Sequence, residues 1–367
     1  MLIMTERKKR ILILIPRMGG GGAERVVSIL ANNLCHKYCI RIATLVSRGE
    51  FYKLDPAVEV VSAKYDIKQS SVFARRFSLA KNLISSFLFI RKSIKEFKPD
   101  IFFPLMKEMD LISFFAIKGL KGVKRINSER NDPSQRTVFY KKALKTVYKN
   151  SDMLVCQTQF IADFYSSTKN KVIIPNPVDV KQYPKSVPEG TNKKIVSVGR
   201  LTGQKNFLML EKAFAKIAKQ YPDVTVTIYG EGPQRQMLEQ AIEQDGLKDR
   251  FILYGASKDV LNEIKDASIF AFSTNFEGFP NALIEAIALG IPVVTTDFAS
   301  GVAREVVNEK AGIVVPVGDV EAFTNGLKDL LDHPEKRNYI RNHSHEVIEP
   351  FAIDKVIAKW DNLFQTV

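Results

Sequence analysis

The sequence predicts an α/β protein built from two doubly wound parallel-sheet domains. Short, wholly apolar runs alternate with amphipathic stretches along both halves of the chain. The alternation breaks once, in a segment at 175–191 rich in Pro, Lys, Gly and Asn, and then restarts. At 367 residues the chain is long enough to bury two separate cores.

The first strand is expected at 11–16, where Ile11-Leu-Ile-Leu-Ile15 is apolar on both faces and ends at Pro16. It is too short for the apolar core of a secretion signal. A glycine loop follows, then a helix at 23–34 and a strand at 40–46. Helices at 78–98 and 111–120 and short apolar strands near 100–104, 124–127, 153–156 and 171–174 complete a first domain at 1–180. After the break, strands are expected at 195–198, 224–229, 251–254, 269–272 and 291–296. Helices at 208–220, 234–245 and 282–288 lie between them, which gives a second domain at 190–348. A terminal helix at about 350–367 carries the sole tryptophan, Trp360. Its periodicity leaves either domain open to it, a return to the first included. In open α/β sheets ligands sit at the carboxyl ends of the strands, so two such domains are expected to face a deep cleft that holds the site.

Charge divides the chain. Residues 1–185 carry 34 Lys and Arg against 15 Asp and Glu, and residues 186–367 carry 20 against 25. An anionic partner is therefore expected for the first half alone. The three cysteines, Cys35, Cys39 and Cys156, form no disulfide framework and suit a reducing compartment. Nothing near Cys35 and Cys39 completes a zinc set, so no metal site is expected.

Three motifs carry chemistry. Met18 is followed by Gly19, Gly20, Gly21 and Gly22, and then by Glu24 and Arg25. Glycines let backbone approach a ligand closely, and the helix start behind them favours an anion. A dinucleotide fingerprint would want a third spaced glycine and an acid ending the second strand. This chain has Glu24 and Arg25 at the first position and Val46-Ser-Arg48 at the second. A plain tight turn also fits.

The second motif is Gly199-Arg200-Leu-Thr-Gly-Gln-Lys205 after a strand. A forked guanidinium and a point charge there suit a diphosphate, although both are also common loop residues. The third is Glu277-Gly-Phe-Pro-Asn-Ala-Leu-Ile-Glu285. One carboxylate precedes a helix start and the other lies a turn inside it. That can cradle a phosphate flanked by hydroxyl-rich groups, the shape of a sugar nucleotide. The bland reading is a turn cap and an exposed helix residue.

Taken with Tyr229-Gly-Glu-Gly-Pro233 and the glycine loop, these motifs closely resemble glycosyltransferase family 4, the retaining enzymes of GT-B fold. The resemblance covers essentially the whole chain. It implies that Arg200 and Lys205 bind the donor diphosphate and stabilise the leaving nucleotide, without a metal or other cofactor. It implies that Glu277 holds the donor sugar near the reacting carbon and that Glu285 accepts hydrogen bonds from the ribose. Backbone N–H groups of Gly278, Phe279, Asn281 and Ala282 would line sugar and phosphate around Pro280, which has none to give. Gly230 and Leu283 complete the donor set, Lys258 is placed near the base, and Gly20 and Gly21 close over the donor from the first domain. The family's usual acceptor-side histidine is absent. Asn127-Ser-Glu-Arg-Asn-Asp-Pro133 stands in its place, with Glu129, Arg130 or Asn131 at that position.

The activity implied is transfer of a hexose or N-acetylhexosamine from a nucleotide sugar, UDP-linked, to a lipid-linked saccharide in cell-surface polysaccharide assembly. Within the same architecture a nucleotide-sugar epimerase would need no acceptor. An NAD(P)-dependent oxidoreductase and a non-catalytic basic binding module are the readings from other classes.

The stretch at 73–97 sets Arg and Lys at the edges of an apolar run. It suits a helix lying on an anionic membrane, and equally a core-facing helix with a solvated basic face. With the basic first half it leads to the expectation of a cytoplasmic protein held peripherally at the inner membrane face. No nucleic-acid module is evident, so no nucleic acid is expected as partner.

Overall fold

The protein was analysed as a computed structural model that describes residues 7–46, 52–63, 72–178 and 193–367, with backbone alone between 72 and 82. The expected end of the second strand at Ser47 and Arg48, most of the 175–191 break, and the side chains of the basic stretch before residue 83 lie outside this description. The chain forms two compact units. One is Met1–Pro177 with Asp354–Val367, and the other is Val178–Ile353.

The first unit is built on seven strands: β1 Arg10–Ile15, β2 Cys39–Thr44, β3 Glu59–Ser62, β4 Ile101–Pro104, β5 Lys124–Glu129, β6 Met153–Cys156 and β7 Lys171–Ile173. They lie in the order β3-β2-β1-β4-β5-β6-β7, and every pairing is parallel. Alternation along β1 serves two cores. Ile11, Ile13 and Ile15 pack with Val27 and Leu30 of the helix Gly22–Leu34. Leu12 and Leu14 pack on the other face with Ile90, Ile94 and Phe97 of the helix Val72–Phe97. The terminal helix Ile353–Thr366 joins the first of these layers. Its Trp360 is 1% exposed, with its ring 5.1 Å from that of Phe103. Tyr38 OH donates to Asp361 at 2.6 Å from the same helix.

The second unit holds β8 Lys194–Val198, β9 Thr225–Tyr229, β10 Phe251–Gly255, β11 Ile269–Phe272, β12 Val293–Thr296 and β13 Gly312–Val315. Their order is β10-β9-β8-β11-β12-β13, again wholly parallel. In each sheet the strand order reverses beside its first strand, between β1 and β4 and between β8 and β11. Connections leave toward opposite faces at such a point, and a crevice opens outside the carboxyl ends.

Several elements differ from expectation. The helix expected at 111–120 runs Lys107–Ala116. It starts directly after Met106, whose φ is 79°, and gives way before Gly119 and Gly122, which take φ of 77° and 76°. The helix Val138–Lys149 was not anticipated, because it buries only Leu144, Val147 and Tyr148. The expected strand at 291–296 begins at Val293, after Pro292.

Candidate functional site

The carboxyl end of β8 opens into a turn that only small residues permit. A Cβ on Gly199 would lie 2.9 Å from Lys205 Cε, because the lysine stem crosses that residue. Gly230, just after β9, has φ of 152°, and a Cβ there would sit 1.9 Å from the Gly199 carbonyl oxygen. The two turns are stitched by backbone: Gly199 N–H donates to Tyr229 O and Leu201 N–H to Glu231 O, both at 3.0 Å. Glycine at 199 and 230 therefore lets the ends of β8 and β9 close on each other and fixes the path of Arg200.

The turn after β11 is bound to the same loop. Asn275 N–H donates to Gln204 O at 2.8 Å, Ser273 Oγ to Lys205 O at 3.0 Å, and Asn206 Nδ2 to Asn275 Oδ1 at 3.0 Å. This lacing sets Lys205 Nζ 2.7 Å from Glu277 Oε1, with both side chains largely buried. Thr274 Oγ1 donates to the same oxygen at 3.1 Å. The ammonium also lies 4.4 Å from the centre of the Phe272 ring. Arg200 is exposed and takes part in none of the ion pairs among the described residues. A buried cation–carboxylate pair with a second, solvated cation on the same turn can receive an anion at the cations and a hydroxyl at the acid.

The sequence-expected donor residues thus gather at one sheet edge, the carboxyl ends of β8, β9, β10 and β11. Lys258, after β10, is exposed there. The helix Asn281–Ala288 starts at Pro280. Phe279 and Leu283 turn their side chains into the core, with the Phe279 ring 5.7 Å from that of Phe351. They can offer a ligand backbone only. Asn281 N–H already donates to Phe279 O at 3.1 Å. Ala282 and Leu283 lie in the first turn, where N–H groups have no acceptor within the helix. Gly278 is buried and Glu285 half-buried.

In the first unit, Gly19, Gly20, Gly21 and Gly22 follow β1 at its carboxyl end. A Cβ on Gly21 would meet Glu24 Oε2 at 2.4 Å. The loop's inner side is thus filled by its own carboxylate, at the helix start where an anion would sit.

Glu129 ends β5 and is 1% exposed. Its carboxylate accepts from both Arg136 and Tyr165, from the latter at 2.9 Å. It also accepts the backbone N–H groups of Arg130 and Asn131, at 3.1 and 3.2 Å. Glu129 therefore anchors the loop, and Asn131 on it is exposed. Below lies a network that sequence reading missed. Asp110 accepts from Asn127 Nδ2 at 2.5 Å and Tyr148 OH at 2.9 Å, and burial pushes its carboxyl up to about 8. Only tertiary packing assembles these residues; no local spacing signals them.

The ligand atoms of Cys35, His36 and Asp55 lie within 4.8 Å of one another. Burial first, and then Asp55, push the Cys35 thiol up, which disfavours the thiolate a metal needs. Cys35 and His36 lie between the helix Gly22–Leu34 and β2, and Asp55 lies between β2 and β3, so the group sits before the strands begin, away from the glycine loop.

Two parallel-sheet Rossmann-like domains, one carrying two cations and a carboxylate at its switch point, define an α/β protein of doubly wound type. The model of the family described as glycosyl transferases group 1 matches residues 179–347. An uncharacterized glycosyltransferase of Methanocaldococcus jannaschii is 30% identical over 279 residues, 68% of either chain. The chain belongs to the glycosyltransferases. An alpha-1,4-N-acetyl-D-galactosaminyltransferase of Campylobacter jejuni, named for a diNAcBac-PP-undecaprenol-linked acceptor, is 24% identical over 366 residues, 98% of this chain and 99% of its own. The crystal structure of HepE of Anabaena in complex with UDP and glucose superposes with a TM-score of 0.79 at 15% identity, covering 98% of this chain and all of that one. The fold is GT-B.

Proposed function

We propose that this chain is a retaining, family 4 enzyme. It moves a hexose or N-acetylhexosamine from a UDP-linked donor to a lipid-linked saccharide in cell-surface polysaccharide assembly. The observation that carries the reading is the Lys205–Glu277 pair, 2.7 Å apart, beside Arg200 at the switch point of the second sheet. Lys205 and Arg200 take the diphosphate and Glu277 takes hydroxyls of the donor sugar. Gly230, Gly278, Ala282 and Leu283 lend backbone, Glu285 takes the ribose, and Lys258 lies toward the base. The acceptor oxygen forms its bond to the sugar carbon on the face from which the diphosphate leaves, and its proton passes to the departing phosphate oxygen. The fixed cations stabilise that leaving charge, so the step calls for neither a metal nor a separate base. The UDP in the HepE complex and the lipid-diphosphate acceptor in the Campylobacter enzyme's name support donor and acceptor.

Peripheral attachment at the inner membrane face is part of the same proposal. Among the described residues no helix is long and apolar enough to cross a membrane. Leu83, Ile84 and Leu88, Phe115, and Val138 and Phe139 are all more than half exposed. They lie on three helices that pack in succession, Val72–Phe97, Lys107–Ala116 and Val138–Lys149. The last bears Lys141, Lys142, Lys145 and Lys149 and no acid. Apolar side chains among lysines suit an anionic lipid surface.

Incubating the chain with nucleotide sugars and a diphospho-lipid saccharide, and reading the new linkage by NMR, tests this. Retained anomeric configuration is expected, and an inverted linkage would remove the family 4 mechanism.

A further inference from the structure

Arg130 follows β5 at the carboxyl edge of the first sheet, and the donor assignment does not use it. Its Nη1 donates to Ser128 Oγ at 3.3 Å and its Nη2 to Asn176 Oδ1. With its amide turned to satisfy both ends, Gln157 accepts from Nη2 at 3.3 Å and donates to the Arg130 carbonyl at 2.9 Å. Each of these partners is neutral. Among the described residues no carboxylate pairs with Arg130, whereas Arg136, six residues on, is bound to Glu129. Burial alone draws the Arg130 guanidinium down to about 10, and no opposing charge restores it. It still stays protonated at neutral pH.

A desolvated cation without a counter-charge is costly unless an anion completes it. A guanidinium presents five N–H donors, and the neutral collar leaves some of them unused. The residue is mostly but not fully buried, which leaves part of it open to a ligand. Its backbone is rigid, because Glu129 accepts the N–H groups of residues 130 and 131. The planar fork matches phosphate oxygens, and the place, outside a strand's carboxyl end, is where α/β sheets hold ligands.

We propose that Arg130, with the exposed Asn131 beside it, binds a phosphate oxyanion of the acceptor, the diphosphate that joins saccharide to lipid. This rests on the glycosyl-transfer reading for the identity of the acceptor.

The test is calorimetric titration of the full chain, first with UDP and then, UDP-saturated, with geranyl diphosphate or inorganic phosphate. Geranyl diphosphate should bind, and Arg130→Gln should weaken it by about tenfold or more, the scale of a lost charged hydrogen bond. Arg130→Lys, which keeps charge but loses the fork, should fall between. Unchanged affinity in Arg130→Gln would overturn the proposal. So would wild-type affinity in Arg130→Lys, should the glutamine variant fail to fold. Inorganic phosphate binding as tightly as geranyl diphosphate, with the same dependence on Arg130, would assign the site to free phosphate instead. If UDP does not bind at all, the donor reading fails separately, and titration of the UDP-free chain still decides Arg130.

Discussion

Lys205 Nζ lies 2.7 Å from Glu277 Oε1, across 72 residues of sequence, and Thr274 Oγ1 donates to the same oxygen. The cation and the acid assigned to different parts of the donor are therefore partners in the chain itself. Each holds the other in place before any ligand arrives. Lys205→Met should cost about 1–3 kcal/mol, because it strands a largely buried carboxylate. The double variant Lys205→Met, Glu277→Gln should cost less than the sum of the singles. Urea denaturation of the four proteins checks this, and strict additivity would show that the pair is not coupled.

Gly230→Ala should destabilise the second unit by about 3 kcal/mol or more. The new methyl would meet the Gly199 carbonyl oxygen at 1.9 Å, in a backbone conformation side chains rarely take. UDP affinity should fall with it, since the same carbonyl precedes Arg200. A variant as stable as the parent would refute the interlocked turns.

Much of this fold was legible because buried parallel strands are written as short apolar runs, and β1 and β11 are plain cases. The donor motifs were legible as motifs, because each follows a strand directly. Their union was not, since the lacing of Ser273, Asn275 and Asn206 is a tertiary fact. The first unit was harder. Glu129 reads in sequence like an available acid, yet Arg136 and Tyr165 occupy it. The helix Val138–Lys149 hides its apolar stripe among six aromatic or lysine neighbours, and β3 is only half-buried.

Glu211 gives a pH signature. It is 1% exposed, and burial first, then the Asp245 carboxyl, raise it to about 7 from 4.5. Its folded value exceeds its unfolded one, so its contribution is full below about 4.5 and is lost as pH rises through about 7. Thermal stability of the second unit should therefore fall between about pH 4.5 and about pH 7, and Glu211→Gln should flatten that slope. A slope unchanged in the variant would assign it to other groups.

Membrane attachment predicts a charge and an apolar component. Flotation with anionic vesicles should weaken as salt rises. Phe139→Glu with Lys142→Glu should lower bound protein by about tenfold or more. Equal binding to neutral vesicles, or an unaffected double variant, would place the contact elsewhere.

The central claim is that Lys205, Arg200 and Glu277 act together on a nucleotide sugar. Release of nucleotide from a panel of UDP-hexoses and UDP-N-acetylhexosamines, followed in the parent chain and in Arg200→Ala, Lys205→Ala and Glu277→Ala, tests it most directly. One donor should be turned over, and each variant should lose about a hundredfold in rate while binding vesicles as before. Release from no donor, or release at the parent rate in all three variants, would contradict it.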